Sequence, residues 1–366
     1  MQKIRTLIVD DSAFMRKLIK DILSASPRIE ILGTARNGEE ALEKIKEGRP
    51  DVVTMDVEMP VLNGMDALKI IMKEAPVPVV MLSSTTKEGA ENTLKAIQYG
   101  AADFVAKPSG SISLDLEKIG QELIQKVISA SKVNIKNLTR PQTITKKAHQ
   151  QRIDYSKIDP EKEILIEELT ASDWEAASKK LVCIGTSTGG PRALQNVLTK
   201  LPAGIKAPIL IVQHMPPGFT KSLADRLNSI CHITVKEAED GEALKEGVAY
   251  IAPGGFHLKV SSDTKGPAIK LDLSAPENGH RPSVDIMFES AADLRNFAKI
   301  AVIMTGMGAD GTNGLIAMKK NGAVKAIAES EETSVVFGMP KAAIATKLVD
   351  EVQSADNIAN TIMKYV

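Results

Sequence analysis

Two rounds of alternation between short apolar runs and amphipathic segments constrain the fold of this 366-residue chain more than any other feature. The first round spans residues 5 to about 132, and its apolar runs read TLIVDD, EILGTA, DVVTMD, VPVVMLSS and ADFVAKP. Intervening segments such as NGEEALEKIKEG and KEGAENTLKAIQYG space their apolar residues as an amphipathic helix does and end at glycine. Strands that alternate with helices in this way predict a parallel, doubly wound sheet.

A second round begins at Leu181 and predicts a larger α/β domain. Its apolar runs read LVCIG, PILIVQH, ITVKEA, VAYIAP, IAVIMTG and AVKAIAE, with helical patterns that include PRALQNVLTKL, TKSLADRLNSI and VDIMFESAADLRNFA. The runs HLKVSS and AIKLDLS predict an antiparallel hairpin inserted into this domain. The expected fold class is therefore α/β, with two doubly wound parallel-sheet domains joined by a linker.

The segment between the two rounds has the composition of a linker. Residues 134 to 178 are rich in Lys, Gln, Thr, Asp and Glu and contain few large apolar side chains. Within it, EKEILIEEL at 161–169 has the pattern of a short helix, and we expect Trp174 to pack against a neighbouring domain rather than to bind a ligand. We therefore predict a first domain over 1–125, a helix end and linker over 126–178, and a second domain over 179–366.

Composition narrows the class of protein without identifying a partner. Lys plus Arg and Asp plus Glu both number 46, so the formal net charge is zero and offers no general attraction to nucleic acid or to an anionic membrane. The only cysteines, Cys183 and Cys231, are expected to be reduced thiols. No signal peptide and no apolar stretch of ~18 residues is visible. We expect a soluble cytoplasmic protein that binds no nucleic acid and does not insert into a membrane.

Polar side chains collect where the strands of the first domain end. Asp10 and Asp11 follow TLIV, Asp56 ends VVTMD, Ser83 ends VVMLS, and Lys107 follows FVA. In open parallel sheets these ends share one edge, which is where ligands bind. Three carboxylates brought together repel one another unless a cation neutralises them, and their hard oxygen atoms suit Mg²⁺.

Asp56 is the predicted acceptor of a phosphoryl group. An aspartate can form a covalent aspartyl phosphate, and Asp56 stands alone at its strand end while Asp10 and Asp11 form the metal-binding pair. Ser83 and Lys107 would then hold the oxygens of the incoming group. The alternative is that these aspartates only cap helices, as Asp11 would before SAFMRKLIKDIL. Four strand ends with complementary chemistry favour the phosphoryl site.

The first domain resembles a response-regulator receiver domain. The resemblance covers residues 1 to about 125 and lies in DD at 10–11, MDVEMPVLNG at 55–64, the Ser83 position and KP at 107–108. It implies a flavodoxin-like fold in which Asp56 takes phosphate from a histidine kinase.

The same resemblance implies the roles of the residues around Asp56. The Mg²⁺ ligands would be Asp11, Asp56, the carbonyl of Glu58 and, through water, Asp10. Ser83 and Phe104 match the hydroxyl and aromatic positions that move on phosphorylation. Serine in place of the commoner threonine, and phenylalanine in place of tyrosine, leave that switch intact.

The stretch VCIGTSTGGP at 182–191 opens the second domain and allows two interpretations. Its G-x-S-x-G spacing is that of a turn that exposes a nucleophilic serine, here Ser187. The same glycines before a helix would equally bind a phosphate through backbone N–H groups. The motif alone does not decide between a catalytic serine and a phosphate loop.

The distinction comes from partners for Ser187, which needs a base, while that base needs an orienting carboxylate. His214 ends the run PILIVQ, and Asp310 follows IAVIMT and the turn GMGADG, so both share the sheet edge of Ser187. The other histidines, His149, His232, His257 and His280, are assigned to the linker, to packing, to a hairpin, and to a structural or substrate-facing loop position. GMGADG would otherwise be only a tight turn with Asp310 as a helix cap.

Other nucleotide and hydrolase motifs fit less well. The second strand of this domain ends in Gln213 and His214 rather than in an acidic ribose ligand, and no lysine follows the glycines as in a Walker loop. The chain order Ser, His, Asp also differs from the Ser, acid, His order of an α/β-hydrolase. A serine with its own base and acid on a different fold is favoured.

The second domain resembles the catalytic domain of the chemotaxis protein-glutamate methylesterases. The matching motifs, in order, are GTSTGGP at 185–191, QHMPPGFT at 213–220, YIAPGGFHL at 250–258, HRPSVD at 280–285 and TGMGADG at 305–311. Thr186 stands where alanine is common. The resemblance implies a Rossmann-like catalytic domain with Ser187, His214 and Asp310 as the catalytic residues.

That resemblance also implies the activity and its control. The protein would hydrolyse glutamate methyl esters on methyl-accepting chemoreceptors without a cofactor for the esterase step, and would deamidate receptor glutamines. Backbone N–H groups near Met307 and at Thr188 are candidates to stabilise the oxyanion. The unphosphorylated receiver would cover the catalytic cleft. The competing hypotheses are a non-catalytic response regulator and, with little support in the sequence, a DNA-binding output domain.

Overall fold

The computed structural model describes residues 3–107, 113–139, 174, 179–263 and 266–366. The helix predicted at 161–169 lies outside the described residues. The chain divides into two compact units, residues 1–141 and 142–366. Within the described ranges, none of the helices combines the length and the apolar character that a membrane span needs.

The first unit is built on a five-stranded parallel sheet in the order β2-β1-β3-β4-β5. Its elements are β1 (Ile4–Val9), α1 (Ala13–Ser24), β2 (Ile29–Ala35), α2 (Gly38–Gly48), β3 (Val52–Asp56), α3 (Gly64–Glu74), β4 (Val79–Ser83), α4 (Lys87–Gln98), β5 (Asp103–Ala106), α5 (Ser113–Ala130) and α6 (Ile135–Thr139). Every residue of β3, β4 and β5 is buried, as expected for strands covered by helices on both faces.

Local capping explains where these helices begin, and it corrects one detail. Ser12 caps α1 by accepting the N–H of Met15, so the side chain of Asp11 is not the cap. Helix α2 ends at Gly48 as predicted, but the left-handed residue that follows is Arg49, at φ 45°. Asp11 therefore stays available at the sheet edge.

The second unit contains a seven-stranded parallel sheet in the order β14-β13-β12-β6-β7-β9-β8 and a separate antiparallel pair, β10 and β11. Its strands are β6 (Lys179–Thr186), β7 (Ile209–Gln213), β8 (Thr234–Glu237), β9 (Val248–Ile251), β10 (His257–Asp263), β11 (Gly266–Asp272), β12 (Phe297–Ile303), β13 (Val324–Glu329) and β14 (Glu351–Gln353). Its helices are α7 (Gly190–Leu198), α8 (Phe219–Asn228), α9 (Val284–Ala292), α10 (Thr312–Lys320), α11 (Met339–Ala345) and α12 (Ala355–Tyr365). The predicted fold class and the inserted hairpin are confirmed.

The structure differs from the prediction after α9. The helical pattern extends to residue 298, but α9 ends at Ala292, and Phe297 and Ala298 pair with Lys179 and Lys180 of β6. Sheet pairing satisfies backbone groups that a longer helix would have satisfied internally, and it overrides the local pattern. Trp174 contacts the ring of Tyr365 edge-on at 5.7 Å between centroids.

The strand order places a switch point at β6. From this first strand, β7 and then β9 extend the sheet on one side, while β12, β13 and β14 extend it on the other. A crevice opens above the carboxyl end of the strand where the order reverses, and ligands bind there. Ser187 is the residue that directly follows β6.

Candidate phosphoacceptor and active sites

The charged residues predicted for the first unit lie together at its sheet edge. Nζ of Lys107 lies 2.6 Å from Oδ2 of Asp56 and 3.0 Å from Oδ2 of Asp10, and both carboxylates are buried. Burial raises the pKa of Asp56, against the opposing effect of Lys107. The pKa of Lys107 is also raised, because its two carboxylate partners outweigh its burial.

This edge fits a divalent cation. Carboxylate oxygens of Asp10, Asp11 and Asp56 all lie within 4.8 Å of one another. Oδ2 of Asp10 is buried, and its 3.0 Å contact with Lys107 is an ion pair without hydrogen-bond geometry. Oxygen donors with unused lone pairs are what Mg²⁺ prefers.

The remaining predicted residues of this site occupy neighbouring positions. Ser83 ends β4, is buried, and donates its hydroxyl to the carbonyl of Gly89 in α4 at 2.9 Å. The N–H of Glu58 lies 3.4 Å from Oδ1 of Asp56, a long hydrogen bond. Phe104 is buried in β5 rather than exposed.

Ser187 occupies the turn between β6 and α7 that the motif predicts. Gly189, at φ 81°, takes the left-handed conformation that lets the chain reverse into the helix. The N–H of Ser187 donates to the carbonyl of Thr305 at 3.0 Å, and its carbonyl accepts from Gly190 at 2.7 Å. Ser187 is 7% exposed, so it is buried at the carboxyl edge of the sheet.

His214 is tied to the same turn. It follows β7, and its N–H donates to the carbonyl of Thr186 at 3.2 Å. Gln213 donates from Nε2 to the carbonyl of Ser187 at 3.0 Å and accepts from the hydroxyl of Thr186 at 2.7 Å. Hydrogen bonds from Gln213 and His214 therefore hold the end of β7 against the end of β6, next to Ser187.

Asp310 binds His214 through a short contact. Oδ2 of Asp310 lies 2.7 Å from Nε2 of His214, and both residues are buried. The other ring nitrogen, Nδ1, is buried and has no hydrogen-bond partner among the described residues. Contact with a carboxylate fixes the proton of the imidazole on Nε2 and leaves Nδ1 as the basic nitrogen.

Asp310 itself is held by donors from the start of α9. Oδ1 accepts from the Ser283 hydroxyl at 2.8 Å and from the N–H of Asp285 at 2.9 Å, and Oδ2 accepts from the N–H of Val284 at 2.7 Å. Burial alone would raise the pKa of Asp310, but His214 and these N–H groups lower it to about 2. With a pKa this low, Asp310 is ionised at neutral pH.

Two further side chains contact His214 or Asp310: His280, which the sequence assigned only to a structural or substrate-facing loop, and Ser283, to which it assigned no role. The ring of His280 stacks on that of His214, with 3.9 Å between centroids and an interplanar angle of 10°. Ser283 caps α9 and also donates to Asp310. Both lie in HRPSVD, a motif that carried the family resemblance, and this was the one signal that pointed to them.

The two oxyanion candidates lie in turns that contain or contact Ser187. Thr188 is its immediate neighbour, and Met307 follows Gly306, where a Cβ atom would stand 2.8 Å from Cβ of Ser187. Gly306 is fixed by its own N–H, which donates to Val336 at 3.0 Å. The absence of a side chain at Gly306 is what lets this turn contact the serine.

Two further buried carboxyl groups, those of Asp285 and Glu329, lie close to this site. Burial, together with the charge of Asp310, raises the pKa of Asp285 to about 6. Complete burial raises the pKa of Glu329 to about 7, despite hydrogen bonds from Thr305 and Thr333. Sequence reasoning assigned neither of them.

The fold and the two sites define a class of protein with two α/β units. One unit carries carboxylates and a lysine arranged as in a phosphoacceptor site, and the other carries a serine, a histidine and an aspartate arranged as in a serine hydrolase. Residues 6–117 match the family model of the response regulator receiver domain, and residues 182–362 match that of the CheB methylesterase. The chain belongs to the CheB methylesterase family and carries a receiver domain. The resemblance seen in the sequence is confirmed.

Individual relatives cover the full chain. The protein-glutamate methylesterase/protein-glutamine glutaminase of Geobacillus kaustophilus is 55% identical over 100% of this chain and 99% of its own length. The protein of the same name in Halalkalibacterium halodurans is 53% identical over 99% of this chain and 98% of its own. The crystal structure of the Thermotoga maritima CheB methylesterase catalytic domain is 49% identical, covers 52% of this chain and 100% of that domain, and superposes with a TM-score of 0.50.

Proposed function

We propose that this protein is a phosphorylation-activated serine esterase that removes methyl groups from glutamate methyl esters on methyl-accepting chemoreceptors. The observation that carries the proposal is the 2.7 Å contact between Asp310 and His214 at the switch-point edge that also holds Ser187. The names of full-length relatives at 55% and 53% identity support the substrate and reaction.

The proposed reaction is acyl transfer through Ser187. Its hydroxyl oxygen attacks the ester carbonyl while Nδ1 of His214 takes the proton, and the resulting oxyanion is stabilised by backbone N–H groups at Met307 and Thr188. The carbonyl then re-forms, the bond to the methoxy oxygen breaks, and His214 protonates the departing methanol. Water repeats these steps on the acyl enzyme and leaves a receptor carboxylate.

Asp310 orients His214 and stabilises its cationic form during both steps. With its pKa near 2, it stays ionised and does not take the proton itself. The same chemistry with ammonia as the leaving group would deamidate receptor glutamines, which agrees with the second half of the relatives' name. The esterase steps need no cofactor.

The receiver domain supplies the proposed control. Asp56 would accept phosphate from a histidine kinase, with Lys107 and Ser83 holding the phosphoryl oxygens. Mg²⁺, bound by Asp11, Asp56 and the carbonyl of Glu58, and through water by Asp10, would neutralise the charge that gathers there. Because the proposed phosphodonor is a histidine kinase, the protein is proposed to act in the cytoplasm.

Phosphorylation would release an inhibitory arrangement of the receiver. Such control is a shift between two populations of domain arrangement, and it needs only that phosphorylated Asp56 favours the open one. A chain lacking residues 1 to about 140 should then show higher basal esterase activity than the full chain. Loss of activity on this deletion would contradict inhibition by the receiver.

Methanol release from methylated receptor membranes, with and without a small phosphodonor, tests the proposal directly. We expect release that the phosphodonor increases. A serine-directed phosphonate should label the protein, with labelling lost in Ser187→Ala and weakened in His214→Ala. Intact function in Ser187→Ala would favour the alternative, a non-catalytic response regulator whose second domain binds a nucleotide or a partner protein.

A further inference from the structure

A buried carboxyl group lies directly behind the turn that carries Ser187. Glu329 is the last residue of β13, and it is 1% exposed. Its hydrogen bonds to described residues come from a backbone N–H and a hydroxyl rather than from a lysine or arginine. An acidic group buried in this way is costly, and the proposed reaction makes no use of it as an acid or a base.

The first hydrogen bond of Glu329 fixes the peptide group of Thr305. Oε2 of Glu329 accepts the N–H of Thr305 at 2.8 Å, and Oε1 accepts the hydroxyl of Thr333 at 2.9 Å. Thr333 in turn accepts the N–H of Ala355 at 3.0 Å. The carboxyl is therefore anchored on its far side by the start of α12, and it holds Thr305 on its near side.

Thr305 contacts both residues of the nucleophile turn. Its carbonyl accepts the N–H of Ser187 at 3.0 Å, and its hydroxyl donates to the carbonyl of Thr188 at 2.8 Å. That hydroxyl also accepts the N–H of Val336 at 3.0 Å. Glu329 holds the N–H of Thr305, while the carbonyl and the hydroxyl of the same residue contact Ser187 and Thr188, so a shift of Thr305 would move both residues of the turn together.

We propose that Glu329 is a positioning residue for the esterase, holding Ser187 and Thr188 in their reactive geometry through Thr305. This inference rests on the proposed function. The role belongs to the acceptor oxygen of Glu329 and to the length of its side chain, and the negative charge is not needed for it.

Two substitutions separate the effect of the side-chain length of Glu329 from the effect of its charge. Glu329→Gln keeps the length and an oxygen that accepts from Thr305, and its amide group donates to Thr333. Glu329→Asp keeps the carboxylate but is one methylene shorter, so it does not reach Thr305 while bound to Thr333. Glu351→Gln is the matched control, because Glu351 lies on β14, next to β13, and binds Lys364 rather than the turn.

Steady-state methanol release by the full-length variants, with kcat and KM measured separately, tests the role. We expect Glu329→Asp to lower kcat about 10- to 100-fold, the effect of a reacting group displaced by a fraction of an ångström to about 1 Å, with KM little changed. Glu329→Gln should stay within about threefold of the wild type in kcat, and Glu351→Gln should match the wild type. Wild-type kcat in Glu329→Asp, or equal damage in Glu329→Gln and Glu329→Asp, would overturn the proposal.

Two further measurements keep the test decisive. If Glu329→Asp does not fold, as judged by thermal unfolding, Thr333→Val removes the hydroxyl that anchors Oε1 of Glu329. It should lower kcat at least about tenfold while Thr333→Ser retains it, and equal kcat values in these two variants would overturn the role. Hydrogen–deuterium exchange of the peptide that carries Ser187 reads the positioning without substrate and should be faster in Glu329→Asp than in the wild type. If the wild type releases no methanol, the proposed function fails, and unchanged exchange would separately overturn the positioning role.

Discussion

Asp56 and Asp310 lie at equivalent edges of two parallel sheets, but their carboxylates are held in opposite ways. Asp56 is bound by the flexible cation of Lys107 and a long N–H contact at 3.4 Å, and burial raises its pKa. Asp310 accepts five hydrogen bonds, from His214, Ser283, Val284, Asp285 and Gly311, and its pKa falls to about 2.

The difference is what the two proposed chemistries require of a carboxylate. Lone pairs that are not committed to fixed donors remain available to a metal ion and to a phosphoryl group, as at Asp56. A carboxylate saturated by hydrogen-bond donors keeps its charge and its position, and in the proposed reaction Asp310 acts only by orienting His214. The following predictions test this contrast.

The largest effect is expected at Asp310. Asp310→Asn keeps the shape but removes one acceptor and the charge, so the imidazole of His214 loses its fixed tautomer. We expect kcat for methanol release to fall on the order of 10³- to 10⁴-fold. Asp293→Asn, an exposed aspartate at the end of α9, is the control and should retain wild-type kcat. A loss below tenfold in Asp310→Asn would mean that Asp310 is not the orienting acid.

The buried carboxyl of Glu329 is expected to affect how the free energy of unfolding depends on pH. Its pKa is raised from an ordinary value of 4.5 to about 7 in the folded protein, so the folded state keeps a proton that the unfolded state has lost. Stability should therefore decrease as the pH rises through this window, by roughly 3 kcal/mol in total. Glu329→Gln should remove this contribution.

Urea unfolding of the catalytic domain within the full chain, at pH 5 and pH 8, measures the effect. The loss of unfolding free energy between these pH values should be smaller in Glu329→Gln than in the wild type. Glu351→Gln should keep the wild-type dependence, because the pKa of Glu351 is lowered and that carboxyl is ionised at both pH values. Identical pH dependence in Glu329→Gln and the wild type would show that Glu329 is ionised throughout.

At Asp56 the expected effect is on regulation rather than on chemistry. Asp56→Asn should abolish stimulation by a small phosphodonor, which we expect to be about tenfold, a typical coupling between two sites. Asp66→Asn, at a position in α3 whose side chain is half-exposed, should keep the stimulation. Stimulation that persisted in Asp56→Asn would place the phosphoacceptor elsewhere.

The smallest effect is expected at His280, which stacks on His214. Removing the ring in His280→Ala should lower kcat about fivefold, the cost of losing a stacked contact worth about 1 kcal/mol. His280→Phe keeps an aromatic face and should lie between the wild type and alanine. A decrease beyond about 100-fold would point to a direct catalytic role for His280 rather than to support of His214.

The sequence alone determined the fold class and the edge at which each predicted residue lies. Periodicity is a local property, so alternating apolar runs identify the parallel strands, and their last residues identify Asp56, His214 and the turn at Ser187. Capping chemistry is equally local, and Asn37, Asn63 and Thr86 begin α2, α3 and α4. The roles of these residues remain proposals for the experiments above.

Only the tertiary structure decided which atoms meet. Three of these contacts join residues 24 to 96 positions apart in sequence: Asp310 with Nε2 of His214, His280 with His214, and Glu329 with Thr305. The early end of α9 depends instead on competition with sheet pairing. Such contacts are set by loop paths and side-chain rotamers, which no local pattern encodes. A buried polar group takes whichever partner the completed fold brings within hydrogen-bond reach.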